Sequence, residues 1–418
     1  MQPEHQALVS PPALEPFLLH NRLMRTCEIC SGTHIRQLHR QDFLVPGSGE
    51  ASHYDVVVCE NCGFTFADNI PAQLEQSAYY EDSERHLHAA DLPAGLAEAH
   101  RTFFEFVLAT HPHLQKEAAI LDVGSSMGHF LNRFKIAGFT NIQGLEPSTA
   151  ASELARDTYG ISVTPLALEN YLPGHQFDLI TLCGVLEHLV ALRETVNRID
   201  SLCAEEGFLF IAVPDAGNFG NQSPREPFLE FALEHINFFT ARSLDNLLLP
   251  HGFRAVAKTS LWNDFYANHY LLALYEKHPA TQKTIVPDSA GRDSLTRYIA
   301  LSHARLSSIA ADIDALRVSA EPIVVWGAGS LASRLCATTS LPECNVISFI
   351  DSNLQLHGRT LHGKPIRAPD WLKDKSELTV FVASYVYGDQ IKKTLLDMFN
   401  WHGRIITLNP DCISQAVR

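Results

Sequence analysis

The sequence predicts an α/β protein of three units, and three observations lead to that reading. Two Cys-x-x-C pairs, Cys27 with Cys30 and Cys59 with Cys62, stand near the amino terminus and read as one metal-binding module. Residues 118–139, AAILDVGSSMGHFLNRFKIAGF, pass from an apolar strand through a glycine-rich loop into an amphipathic helix, the opening of a Rossmann-like domain. Residues 322–335, PIVVWGAGSLASRL, give the same strand–loop–helix pattern a second time. The expected organisation is a zinc ribbon over 22–85, a Rossmann-like domain over 86–280, a linking helix over 281–318 and a second Rossmann-like domain over 319–418.

Composition agrees with several folded units. The chain has 418 residues, more than one ordinary core accommodates. Hydrophobic residues make up 46% and charged residues 19%, with a mean hydropathy of −0.03, as in globular proteins. No apolar run reaches the ~20 residues of a membrane span. The start, MQPEHQALVSPPALEPFLLHNRLMRT, lacks the charged beginning and apolar centre of a secretory leader, so a cytoplasmic location is expected. A formal charge of −15 argues against nucleic acid as a partner, because phosphate backbones need basic surface. A small-molecule substrate is the expected partner.

Of the nine cysteines, Cys183, Cys203, Cys336, Cys344 and Cys412 are scattered and read as inert core residues. The four paired ones can converge as thiolates around one tetrahedral Zn²⁺. Four Cys ligands leave no open position, so such a zinc is structural. Gly32 and Gly63 follow the two pairs, where tight turns favour an unhindered residue. Reduced, unliganded thiols are the alternative.

In the central unit the loop is Asp122-x-Gly124-x-Ser126-x-Gly128. Small residues let a ligand approach the backbone, and the following helix offers free N–H groups. Glu146 ends the next strand, NIQGLEP, where a carboxylate can accept from both hydroxyls of a ribose. Two further strands follow, in FDLITLCGVLEHL (177–189) and FLFIAV (208–213). Over residues 100–275 this order of motifs resembles the class I S-adenosylmethionine (SAM)-dependent methyltransferases. The resemblance implies SAM as cofactor, with Asp122, Gly124, Ser126 and Gly128 at the loop and Glu146 on the ribose.

The apolar stretch FALEHINFF (231–239) contains an unexpected pair, Glu234 and His235. A buried carboxylate and imidazole cost free energy unless partnered or used. Taken with the zinc module and the trailing domain, the whole chain resembles the three-domain sugar C-methyltransferases. That resemblance implies removal of an α-proton from a nucleotide-linked keto sugar, followed by methylation of the enolate carbon. It places Glu234 and His235 on the last two positions of the family's Tyr-x-Glu-His stretch, and His188 of VLEHL on its second histidine. Tyr79 and Tyr80 match its aromatic residue after the knuckles. The chain departs from the family at Ala232, where the Tyr would stand, at Ala267-Asn268-His269 in place of a glycine pair, and at Ser330-Leu331. His235 is read as catalytic base or as a loop-structuring residue. O- or N-methylation of another metabolite, and a non-catalytic SAM-binding scaffold, are the other readings.

Toward the carboxyl end, Leu295, Ile299, Leu306, Ile309, Ile313 and Leu316 recur at helical spacing and predict the linking helix. Gly327-x-Gly329 and Asp351 mark the second loop and strand end. Without a third glycine the loop is a weak dinucleotide signal, and three roles stay open for this unit: binding a nucleotide, shaping the substrate cleft or supporting a dimer.

Overall fold

In the computed structural model, which describes residues 22–44, 51–71, 94–279, 284–385 and 387–408, the strands form three larger sheets and one two-stranded pair. The amino-terminal unit contains β1 (Arg22–Leu23), β2 (Ile35–Leu44), β3 (Ala51–Cys59), β4 (Thr65–Asp68) and β5 (Ile70–Pro71). Strands β2, β3 and β4 pair antiparallel in order, and β1 pairs with β5. The Cys-x-x-C turns lie beside this meander, one before β2 and one after β3. Tyr54, Val56 and Val58 alternate along β3 as buried residues.

The central unit runs α1 (Ala94–Thr110), β6 (Ile120–Val123), α2 (His129–Ile136), β7 (Ile142–Leu145), α3 (Thr149–Tyr159), β8 (Val163–Thr164), β9 (Phe177–Cys183), α4 (Leu192–Leu202) and β10 (Cys203–Pro214). It continues through β11 (Asn237–Phe238), α5 (Ala241–Leu248), β12 (Phe253–Asn263) and β13 (Asn268–Lys277). Seven strands form one sheet in the order β12-β13-β10-β9-β6-β7-β8. Only β13 runs against its neighbours. Every residue of β6 is buried, as a strand covered on both faces requires. Ser148 caps α3 by accepting from Ala151 N–H, and Thr240 with Ser243 forms a capping box on α5.

Strand β11 does not join that sheet. Asn237 and Phe238 pair with Phe66 and Thr65, so the central unit supplies the fourth strand of the amino-terminal sheet. A two-residue strand within an apolar run leaves no periodicity to read. The sequence boundaries therefore did not reveal this exchange.

Helix α6 (Ala290–Ser319) is the linker, longer than the stripe that predicts it. Leu295 and Tyr298 pack with Tyr54, Phe228 and Phe231, whereas Ile309, Ile313 and Leu316 enter the core of the last unit. That unit runs β14 (Ile323–Trp326), α7 (Ser330–Thr338), β15 (Val346–Ile350), β16 (Thr360–Leu361), β17 (Lys364–Arg367), β18 (Thr379–Val382), α8 (Gly388–Phe399) and β19 (Ile405–Thr407). Its sheet order is β16-β17-β15-β14-β18-β19, parallel except for the short β16. Among the described residues no helix is long and apolar enough to cross a membrane.

All of these units converge on the segment between β10 and β11. Tyr54 of β3 donates its hydroxyl to Ala232 O at 3.0 Å. From α6, Tyr298 and Ser302 accept the N–H groups of Glu230 and Phe228 at 2.9 and 3.1 Å. From α7, Arg334 donates to Pro227 O at 2.8 Å and stands 3.7 Å from Glu226, both side chains almost wholly buried. Removing one partner of a buried ion pair strands the other charge. Arg334→Ala should therefore lower stability by about 3–5 kcal/mol. Urea unfolding monitored by tryptophan fluorescence checks this, and a loss well under 1 kcal/mol would mean that the pair does not hold the segment.

Candidate active site

The loop after β6 takes its shape from residues that tolerate positive φ. Gly124 (φ 70°), Ser126 (φ 47°) and Gly128 (φ 74°) all lie in the left-handed region. A Cβ at Gly124 would fall 2.6 Å from Val185 Cγ2, so no larger residue fits beneath the turn that follows β9. Gly124 and Ser125 both donate their N–H groups to Leu145 O, tying the loop to β7. The Ser125 hydroxyl oxygen is buried with no hydrogen-bond partner among the described residues.

Glu146, at the tip of β7, is positioned by two backbone donors. Ser126 N–H reaches one carboxylate oxygen and Ser148 N–H the other, each at 3.0 Å. The carboxylate thus spans the space between the glycine loop and the start of α3. Asp122 lies one layer deeper, buried, and accepts from Thr181 Oγ1 at 2.6 Å. Burial pushes its carboxyl from the usual 3.8 up to about 7.

The third part comes from the turns after β9 and β10. His188 and His235 face each other, with ring centroids 4.9 Å apart and planes at 73°. His188 Nδ1 lies 3.0 Å from Glu234 O. A carbonyl only accepts, so Nδ1 carries the hydrogen and the His188 lone pair lies on Nε2. Glu234 thus meets His188 through its backbone carbonyl. Two clasps hold the segments together: Ile236 N–H donates to Glu187 O, and the Asn237 amide donates to Leu186 O and Leu189 O at 2.8 and 2.7 Å. Tyr79 and Tyr80 lie outside the described residues.

Glu187 is the residue that the sequence analysis missed. Its side chain is buried, and one donor or acceptor atom from each of Glu187, His188 and His235 lies within 4.8 Å of the other two. Burial raises its carboxyl to about 8, with the charge of Glu230 adding to the effect. The signal was present as the Glu of VLEHL, but only the fold carries it inward beside His235. Glu230 and Asn268 line a neighbouring cleft of about 170 Å³ together with Arg225, Trp262 and Tyr298. The Arg225 guanidinium lies 5.6 Å from the Trp262 ring centre and 5.9 Å from that of Tyr385 in the last unit.

Two further clusters complete the inventory. Cys27, Cys30, Cys59 and Cys62 place their sulfurs within 4.8 Å of one another, with Cys27–Cys62 at 3.5 Å and Cys30–Cys59 at 3.4 Å. A hydrogen bond from Cys62 lowers Cys27 to about 6, and burial raises Cys30 to about 12. In the last unit, Asp351 at the end of β15 accepts from Ala328 N–H and Asn353 N–H, each at 2.8 Å. Gly327 (φ 113°) passes so close to Ala383 O that a Cβ would lie 2.6 Å from it. The arrangement parallels the Glu146 carboxylate beneath the first loop.

Residues 96–258 match the family described as "Methyltransferase domain", and residues 319–406 match the family described as "C2185-like, N-terminal". The tRNA U34 carboxymethyltransferase of Shewanella sediminis is 30% identical over 110 residues, 22% of this chain. The chain spans about a third (33%) of that relative's length. Among solved structures, the 1,6-didemethyltoxoflavin-N1-methyltransferase of Burkholderia thailandensis is 18% identical, with 52% of this chain and 96% of that one covered at a TM-score of 0.38. The N-methyltransferase NodS of Bradyrhizobium japonicum is 16% identical, with 49% and 98% covered at a TM-score of 0.37. The central unit is a SAM-dependent methyltransferase domain of the class I fold: numbered within the unit, its strand order is 3-2-1-4-5-7-6 with the seventh reversed.

Asp122 gives a test of the electrostatics. Its folded-state pKa is raised, so its contribution to stability is fully present below pH 4 and is lost as the pH rises through about 7. Asp122→Asn carries no such loss. Its melting temperature relative to the parent protein should climb between pH 4 and 7 and then level off. Thermal unfolding across that range measures it, and a flat difference would mean that the carboxyl is not penalised by burial.

Proposed function

We propose that this protein transfers a methyl group from SAM to a carbon of a small keto metabolite, the best-supported class being a nucleotide-linked keto sugar. The observation that carries the reading is a convergence at one edge of the central sheet. The glycine loop, Glu146, the Glu187–His188 turn and His235 follow β6, β7, β9 and β10, four parallel strands. In sheets of this kind ligands bind outside the carboxyl ends of the strands.

SAM fits the first half of this edge. The turn at Gly124 leaves no room for a Cβ, and the Glu146 carboxylate is held between two backbone donors with lone pairs left to accept from ribose hydroxyls. When bound, SAM supplies a methyl group activated as an electrophile by its sulfonium. The chain's own task is to orient the acceptor and take its proton. Imidazole suits proton transfer near neutral pH, and the His188–His235 pair is where the acceptor's hydrogen faces the protein. Arg225, beside Trp262 and Tyr385, supports an acceptor carrying both negative charge and a flat ring.

The four cysteines are read as ligands of one structural Zn²⁺. Sulfurs at ~2.3 Å from a tetrahedral zinc stand about 3.8 Å apart, close to the separations found here. The metal would fix the turns beside which Arg25 reaches out across the unit boundary and onto which Arg193 of α4 reaches in. Arg25 donates to Ile236 O and Asn237 Oδ1, and Arg193 donates to Cys27 O. The role proposed for the zinc module is therefore to hold the segment that carries His235.

Two measurements test the reading. Glu146→Ala removes a charge-assisted double acceptor, and calorimetry should show SAM binding weakened by about 1.5–3 kcal/mol. Unchanged affinity would refute the ribose role. In D₂O, the protein should exchange the α-hydrogen of a nucleotide-linked keto sugar even without SAM. His235→Asn should abolish exchange, retain SAM binding and lose about 10²–10⁴-fold in turnover. Methyl transfer with no exchange would assign the chemistry to oxygen or nitrogen.

A further inference from the structure

We propose that Glu187, His188 and His235 form a second metal site, which binds a divalent cation between the turns after β9 and β10 and presents it to the acceptor's oxygen. The inference rests on this edge of the sheet being the acceptor site proposed above. It starts from two observations of different kinds. One carboxylate oxygen and two imidazole nitrogens, carried by two separate turns, lie within 4.8 Å of one another. Independently, Glu187 is only 2% exposed, and its Oε2 is buried with no hydrogen-bond partner among the described residues. A carboxyl oxygen so placed goes unsatisfied unless a hydrogen-bond partner or a cation meets it.

The surroundings have the features of a ligand set. His188 donates from Nδ1 to Glu234 O, the contact that orients a metal-binding imidazole and leaves Nε2 as the coordinating atom. The carbonyl comes from the residue before His235, so one backbone unit orients one ligand and carries the next. The clasp from Asn237 to Leu186 O and Leu189 O holds the two turns in register. Three donors at ~2.1 Å from one ion stand roughly 3.0–3.6 Å from one another. The two turns therefore draw together by up to about an ångström to share the ion. Two imidazoles and a carboxylate suit Mn²⁺, Fe²⁺, Co²⁺ or Zn²⁺, with positions left for water or a substrate oxygen.

Such a cation changes how the acceptor is activated. With it in place, His188 and His235 serve as ligands. The charge beside the acceptor's oxygen would acidify the adjacent C–H, and its proton would pass to a hydroxide held on the same ion, leaving water, so His235 would act through the ion and not as the base itself. The four-cysteine cluster is a separate site of softer ligands and does not favour Mn²⁺.

The test uses the full chain, dialysed against a chelator until only tightly held metal remains, with zinc content checked by elemental analysis. Mn²⁺ is then titrated in and free Mn²⁺ is read by electron paramagnetic resonance. One Mn²⁺ per chain is expected, with affinity reduced about tenfold or more in both Glu187→Gln and His235→Ala. SAM calorimetry on the same variants shows whether the domain remains folded. Absence of Mn²⁺ uptake by the unmodified protein, or equal uptake in both variants, overturns the site. Methyl transfer that persists at full rate after Mn²⁺ removal also overturns it and leaves the proposed function standing. Mn²⁺ bound as expected, without methyl transfer to any keto sugar, sustains the site and overturns the proposed function.

Discussion

The pairing of Asn237 and Phe238 with Phe66 and Thr65 is the contact on which the arrangement of the cleft depends. It places Asn237 and Phe238, which follow His235 after Ile236, in a sheet that belongs to the cysteine-bearing unit. Arg25 reinforces the junction by donating to Ala67 O, Ile236 O and Asn237 Oδ1 while its guanidinium lies 5.2 Å from the Phe66 ring centre. Burial lowers this guanidinium's pKa to about 10, and its hydrogen-bond partners are mostly backbone carbonyls. The cysteine unit acts here as scaffolding for a loop of another unit.

The same logic extends to the rest of the chain. Residues 226–235 have no regular sheet or helix of their own, yet a tyrosine from β3, two hydroxyls from α6 and a guanidinium from α7 each take up one or more of their backbone groups. Phe228 and Phe231 add stacking with His39, whose ring is held largely neutral by burial. A loop fastened from so many directions keeps Glu234 and His235 in place without a secondary-structure framework. The cost is that each outlying unit becomes part of the cleft's support.

Much of this was legible in the sequence, and the limits follow from physics. Local signals carry through: the strands at 120–123 and 323–326, the positive-φ glycines after them, the acids at Glu146 and Asp351, and the four cysteines all depend on short stretches of chain. His188 and His235 could be named because the family resemblance pointed to them. Glu187 could not, since a glutamate in a short turn is usually solvated and only the packing of two distant turns buries it. The stitch at Asn237 was equally hidden, because a two-residue strand has no period and its partner lies far away in sequence. For Glu234 residue type points to the carboxylate, and the fold adds its backbone carbonyl as the acceptor of the His188 Nδ1–H.

The borrowed strand also sets an order of events during synthesis. The amino-terminal meander leaves the ribosome first, but its sheet ends at β4 with an unpaired edge until Asn237 and Phe238 are made. Until then Arg25 lacks the acceptors on Ile236 and Asn237. An open edge of backbone donors and acceptors invites pairing with a neighbouring chain. Domains usually complete themselves in order from the amino terminus. This one must wait from Asp68 to Asn237, about two-fifths of the 418-residue chain. A nascent chain stalled before residue 237 therefore presents an adhesive edge rather than a finished module.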